Sequence, residues 1–285
     1  MRASGRRKMS EQQSCILVLG ADPLASAAAR LLFLAGYGVA MVGRGASKVL
    51  RRHMSFADAW SKGEATLDGV TARRVRSDVE FVIGLRRKVF IPVLAPPFAG
   101  ASERWSWDAI VDGRNESERA DDPFQADARV RLGLGAGFNA GADCDLVIAT
   151  DGPDPGAVIR KGAVPGKILS PGDRGLEERI VTPVAGVFVS DREIGERTRE
   201  GDVLGYVEGR MVREAILAPF AGLILGLLPP GAAVAANDAV AELSLRLGAP
   251  FSGVSGADQE LARAVHFALE MELNGWEPAV LPGFA

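Results

Sequence analysis

Cys15-Ile-Leu-Val-Leu19 runs into Gly20-Ala-Asp-Pro23 and then into Leu24-Ala-Ser-Ala-Ala-Ala-Arg-Leu-Leu-Phe-Leu-Ala-Gly36, and the reading of this stretch decides the fold. Five apolar residues ended by a glycine are what a strand buried on both faces requires. Leu24, Leu31, Leu32 and Leu34 among alanines keep a helical pattern as far as Gly36, and Val39-Ala-Met-Val42 is a second short apolar run. Strand, turn, helix and strand form a βαβ opening, with a right-handed crossover if the strands pair in parallel. The expectation is an α/β fold with a Rossmann-like domain over 14–112. The turn is not the G-x-G-x-x-G of dinucleotide sites, because Asp22 stands where a glycine would let backbone approach a pyrophosphate. Its carboxylate would also repel phosphate from the helix N-terminus that normally attracts it. Gly20 remains a candidate ligand contact, and an NAD(P)-dependent oxidoreductase built on 15–42 is one function class to weigh.

Outward from this unit, Asp68-Gly69 between alternating stretches marks a hairpin. Val89–Leu94 and Ala109–Val111 read as further strands. Trp105 and Trp107 share one face if extended and are read as core packing in preference to a pocket wall. The middle segment, 113–178, holds the densest glycine cluster, Gly133-Leu-Gly-Ala-Gly-Phe-Asn-Ala-Gly141, which leads into Ala142-Asp-Cys-Asp-Leu-Val-Ile-Ala149. Such a loop can present consecutive N–H groups to an anion. Equally, it can be a connection that needs positive φ. The candidate ligand-binding residues here are Gly133, Gly135, Gly137, Asn139 and Gly141. Cys144 sits at the mouth of the loop or is a small core residue. Asp112 and Arg114 follow the preceding strand and could face the same site, since ligands of α/β sheets collect at strand carboxyl ends.

Residues 179–247 change character. Short apolar runs are punctuated by Gly and Pro, and the unit x-Pro-x-Ala-Gly-x-apolar occurs at Pro183–Phe188 and again at Pro219–Ile224, an internal repeat 36 residues apart. This predicts a small all-β sandwich, and it looks like the lipoyl/biotinyl barrel-sandwich hybrid. Those carriers attach their cofactor to a lysine at a hairpin tip. Here the equivalent stretch is Glu208-Gly-Arg-Met211, and every lysine of the chain lies at or before Lys167. Arginine cannot form the amide, so biotin and lipoate are excluded and a docking or structural role is left. Ala215–Ala236 is free of charge for 22 residues, but its prolines and glycines break any membrane helix. From Ser255, a plausible N-cap, Leu261, Ala262, Val265 and Leu269 recur at helical spacing, giving one terminal helix within 248–285.

Composition narrows the partners. A net charge of −3 with mixed signs disfavours nucleic acid and anionic lipid. The basic cluster Arg2–Lys8 belongs to a tail, 1–13, expected to be disordered, and no apolar run directly behind it makes a signal peptide. Two cysteines and two histidines lack metal-ligand spacing, so no metal site is expected. His53 and His266 sit in no catalytic motif, and the scarcity of thiols fits a cytoplasmic location.

Taken together, the blocks resemble the YqeB family of accessory proteins of selenium-dependent molybdenum hydroxylases. The resemblance runs through Gly20-Ala21, Ala29-Arg-Leu31, Leu50-Arg-Arg52, Ser55-Phe56, Gly63-Glu64, Asp68-Gly-Val-Thr-Ala72, Ile91-Pro-Val-Leu94 and Val111-Asp112. Its most specific block is Leu132–Cys144, where the pattern Gly-Phe-x-Ala-Gly-x-Asp is nearly intact. The resemblance implies a role in maturing or inserting the molybdenum cofactor, with a molybdenum hydroxylase as partner and a molybdopterin-type cofactor or a nucleotide as ligand. This chain departs from the family at Asp22-Pro23, where a second Gly and an Asp are usual. It reads Gly152-Pro-Asp154 in place of Gly-His-Asp, and the C-terminal Gly-Gly pair is missing from Leu261–Phe267. A non-catalytic adaptor, docking a partner enzyme through the β module, is the third function class.

Overall fold

The computed structural model describes residues 14–43, 48–95, 100, 105–115, 118–119, 126–164 and 176–275. The expected N-terminal tail lies outside them. The first half runs β1 (Cys15–Leu19), α1 (Pro23–Leu34), β2 (Gly38–Val42), α2 (Asp58–Lys62), β3 (Glu64–Leu67), β4 (Val70–Arg74) and α3 (Asp78–Arg87). It continues with β5 (Ile91–Leu94), β6 (Trp107–Asp112), β7 (Ala128–Leu134), β8 (Asn139–Ala140), β9 (Leu146–Ile148), β10 (Val158–Ile159) and β11 (Gly162–Ala163).

Local chemistry sets the ends of these elements. Asp22 caps α1 by accepting the Ala25 N–H at 2.7 Å, and Pro23 fills the first turn, where its missing N–H costs nothing. Ser77 and Glu80 make a capping box on α3, Ser77 accepting the Glu80 N–H and Glu80 the Arg76 N–H. Asp68 and Gly69, at φ of 41° and 84°, close the β3–β4 hairpin as its sequence predicts.

Nine strands form one sheet in the order β10-β9-β7-β6-β1-β2-β5-β4-β3. The expected Rossmann-like domain is not what forms. The sheet is mixed, with β3 and β10 antiparallel to their neighbours at the two edges. Few helices accompany it among the described residues: the fully described crossover from β7 to the parallel β9 is a chain of turns and the two-residue β8, with no helix. The βαβ opening is real, since β1 and β2 pair in parallel around α1. The expectation failed by extending that local unit to a whole domain. Glycine-rich residues 133–141 cannot supply the apolar stripe of a crossover helix.

One face of the sheet is covered by α1, α2 and a helix from the far C-terminus, α4 (Gly256–Asn274), which packs on α1. Ser255 caps it by accepting the Asp258 N–H, and Leu261, Ala262, Val265 and Leu269 are buried. The other face is covered by α3, with Phe81 set edge-on to Trp105 and Trp107. Both tryptophans thus belong to core packing.

In chain order, β11 and α4 are separated by an all-β module: β12 (Glu177–Val181), β13 (Gly186–Val189), β14 (Arg197–Thr198), β15 (Val203–Glu208), β16 (Arg213–Leu217), β17 (Gly222–Leu227), β18 (Ala232–Val234) and β19 (Ala239–Ser244). Its two four-stranded sheets, β12-β19-β17-β14 and β16-β15-β13-β18, enclose a single core that includes Phe188, Leu204, Ile224 and Leu243. The uncharged stretch Ala215–Ala236 is therefore the end of β16 with β17, β18 and their turns, and no described helix is long and apolar enough to cross a membrane. The 36-residue repeat extends through the whole module, because β12, β13 and β15 start 36 residues before β16, β17 and β19. The two sheet orders map onto each other under that shift. The repeated glycine has a steric cause: a Cβ on Gly186 would lie 2.5 Å from the Glu208 carbonyl oxygen, and one on Gly222 2.6 Å from that of Ser244.

The module is bound to the large sheet by Leu50–Arg52. Leu50 is buried in the module core and its carbonyl accepts the Leu227 N–H at 2.9 Å. Arg51 forks onto Glu242 at 2.9 and 3.0 Å and reaches Glu177 at 2.6 Å. Arg52 holds Asp58 on one side and the Leu227 carbonyl on the other.

Candidate functional site

The carboxyl ends of β1, β6 and β7 meet at one place. Gly20, at φ +112°, donates to the Val42 carbonyl, and a side chain there would touch Gly113. Gly113 in turn donates to the Leu19 carbonyl and faces Ala25 and Leu134. Next to it, Asp112 takes Arg114 in a bidentate grip, Oδ1 accepting Nε at 3.0 Å and Oδ2 accepting a terminal nitrogen at 2.8 Å. The two side chains are mostly buried, so this pair orders the chain leaving β6.

The glycine-rich loop begins inside β7. Gly133 is a glycine because Phe138 folds back over it: a Cβ would lie 2.6 Å from the ring's Cδ1. Gly135 and Gly137 take φ of +79° and +88°, turning the chain tightly above the strand end. Gly135 donates to the Ile148 carbonyl. The next three N–H groups, of Ala136, Gly137 and Phe138, have no protein acceptor among the described residues. Successive free N–H groups in a turn alternating through positive φ form a concavity for an anion.

Arg119, which sequence reading did not single out, completes the turn. Its guanidinium lies 3.8 Å from the centroid of the Phe138 ring and donates to the Gly137 carbonyl, while its Nε is buried without a partner. No periodicity or motif could have marked it, because its place depends on where β6 and β7 end. The remaining candidates fall on the far side of the turn. Asn139 donates its N–H to Asp143 and its carbonyl accepts from Ala142 and Asp143. Gly141 donates to the Cys144 carbonyl. Both spend their backbone N–H groups on closing the β8 turn.

Cys144, Asp112, Leu19, Arg131 and Phe138 line a small, partly open cavity of about 40 Å³, room for a water molecule and far below the size of a cofactor. Burial pushes the Cys144 thiol above its ordinary pKa, with Asp143 and Asp145 adding like charge, so it is not a thiolate at neutral pH. Asp22 stands on the rim. The residue is exposed at the surface, yet the density of protein around its carboxyl is the main effect that, with Glu118 and Asp258 nearby, pushes its pKa up to about 6 against the Ala25 hydrogen bond. The helix N-terminus that could hold a pyrophosphate is thus taken by the chain's own carboxylate.

Among curated proteins, one from Escherichia coli strain K12 is 33 % identical over 271 residues, 91 % of this chain. That protein is the uncharacterized YqeB. The similarity supports the YqeB family resemblance read from the glycine-rich block. This chain spans about half of YqeB, 48 % of its length. No family model matches the chain. Among solved structures, an aspartoacylase family protein from Mesorhizobium loti aligns over 77 % of this chain and 60 % of its own, 10 % identical, with a TM-score of 0.24. A succinylglutamate desuccinylase/aspartoacylase from Rhodobacter sphaeroides aligns over 23 % of this chain and 21 % of its own, 25 % identical, with a TM-score of 0.21. A single-chain, multi-domain long-chain acyl-CoA carboxylase aligns over 28 % of this chain and 8 % of its own, 25 % identical, with a TM-score of 0.24. At these scores none of the three carries an argument about this chain.

Proposed function

We propose that this chain is an accessory factor in the maturation of a molybdenum hydroxylase and that it holds a phosphate-bearing ligand at the carboxyl ends of β1, β6 and β7. The observation that supports ligand binding is the run of three free N–H groups at Ala136, Gly137 and Phe138 beside the Arg119 guanidinium. The molybdenum part rests on the family resemblance alone. A phosphate would be held by the N–H groups and Arg119 over the turn, with Gly20 and the Asp112–Arg114 pair shaping the approach. A pterin or nucleoside would lie outside the strand ends, because the cavity below is too small. Carboxylates at Asp22 and Glu118 deny the site a positive field, so binding depends on directed hydrogen bonds and not on net charge. The NAD(P) reading has no comparable support, since Asp22 occupies the pyrophosphate position at α1.

The test is to purify the full chain from cells that make a molybdenum hydroxylase and to assay co-purifying hydroxylase, molybdenum and oxidised pterin. Wild type is expected to carry pterin or partner, and Arg119→Ala to lose the pterin while keeping its fold by circular dichroism. Neither pterin nor hydroxylase in the wild-type sample overturns the assignment.

A further inference from the structure

Helix α3 has a buried side and an outward side. Phe81, Gly84 and Leu85 face the sheet, whereas Val79, Val82, Ile83 and Arg86 recur at the spacing of one helical stripe on the opposite side. Val79 is 68 % exposed and Val82 and Ile83 40 % each. A single exposed valine is ordinary, but three on one stripe of a ten-residue helix, followed by the exposed Val89, make an apolar patch. Its flanks are charged with opposite signs at the two ends. Asp78 and Glu80 lie in the first turn, and Arg86 and Arg87 in the last. Glu80 and Arg87 are two turns apart and so stand on the same flank of the stripe. Glu80 Oε2 accepts the Arg76 N–H, and Arg87 has no ion-pair partner among the described residues.

We propose that α3 is the contact through which two copies of this chain pair, antiparallel about a two-fold axis beside Val82 and Ile83. A two-fold interface uses the same patch twice, so the patch must complement itself. Antiparallel packing lays each valine–isoleucine stripe on the other. It also sets each Glu80 opposite the Arg87 of the second copy, giving two identical ion pairs at the rim. Parallel packing about a two-fold would put the two Glu80–Arg87 flanks on opposite sides of the seam, where Glu80 of one copy could not reach Arg87 of the other. Charge complementarity therefore selects both the occupant and its direction. The small side chains at 79 and 82 allow the axes to approach to about 8–10 Å, the ordinary spacing of packed helices.

Sedimentation of the full chain is expected to give twice the 30.0 kDa chain mass. Arg87→Glu is expected to shift the mass to that of one chain, and Glu80→Arg combined with Arg87→Glu to restore the dimer, with circular dichroism checking that α3 stays folded. Ile83→Cys, treated with copper phenanthroline, is expected to form a disulfide-linked dimer, and Asp191→Cys is not. Cys15 and Cys144 are buried and do not compete. A monomeric wild type overturns the proposal. So does a dimer unmoved by Arg87→Glu and uncrosslinked by Ile83→Cys, which assigns pairing to another surface and α3 to a different partner.

Discussion

Phe138 packs against β7 because position 133 has no side chain, and this contact shapes the loop above it. Gly133→Ala forces a methyl to within about 3 Å of the ring, an overpacking expected to cost about 1–3 kcal/mol in urea unfolding. Gly141→Ala meets no atom there, and its cost is the positive φ alone. Asp22 carries the pH dependence at this scale. Its carboxyl titrates near 3.8 in the unfolded chain and about 6 in the folded one, so folding favours the neutral form. The stability it contributes is complete below the unfolded value and is lost as the pH rises through about 6. Asp22→Asn keeps a capping side chain, so its melting temperature should rise relative to wild type between about pH 4 and pH 7. A pH-independent difference would contradict that origin. Burial raises both thiols, with desolvation as the main cause. Ellman's reagent should therefore label neither Cys15 nor Cys144 until the chain unfolds, and rapid labelling of Cys144 would make it a reactive group. Gly133, Gly135, Gly137, Asp112 and Cys144 were legible as candidates because glycine density and strand ends are local signals. Arg119 was not, because a single arginine acquires its meaning only when a distant ring lies beneath it. Asn139 and Gly141 looked like their neighbours in sequence, but their backbone N–H groups close their own turn.

Elements whose cause is local were readable in advance. The β1–α1–β2 opening, the Asp68-Gly69 hairpin and the capped α4 all follow from apolar spacing and turn residues. The crossover from β7 to β9 was not, because an absent helix leaves no periodic mark, and a Rossmann-like domain was expected in its place. Nor was the lodging of Leu50 in the β module, since a leucine in a basic stretch carries no sign of which core receives it. Leu50→Ala is expected to cost about 2–5 kcal/mol, as for other buried leucines. A loss under about 1 kcal/mol would show that the strap is peripheral. If the β module were only an adaptor, removal of 180–245 would leave the first half intact. The strap predicts otherwise: the deletion exposes Leu50 and strands Arg51, whose partner Glu242 is removed. Such a chain should bind a hydrophobic dye and lose its cooperative transition.

At the scale of the molecule, a mixed sheet carries the candidate site on its strand ends, and a duplicated β module is tied to it through Leu50–Arg52. The division of labour follows from chemistry. The module has no lysine to carry a cofactor, and its tip Gly209–Val212 presents Met211 fully exposed, which suits docking. The sheet end has directed N–H groups, which suits an anion. The most direct test of that central claim is an amide NMR titration of the full chain with inorganic pyrophosphate. The account predicts shifts that saturate and are largest at Ala136, Gly137 and Phe138, smaller at Gly20 and Arg114, and abolished by Arg119→Ala. Unmoved signals at 136–138, or shifts confined to other surfaces, would contradict it.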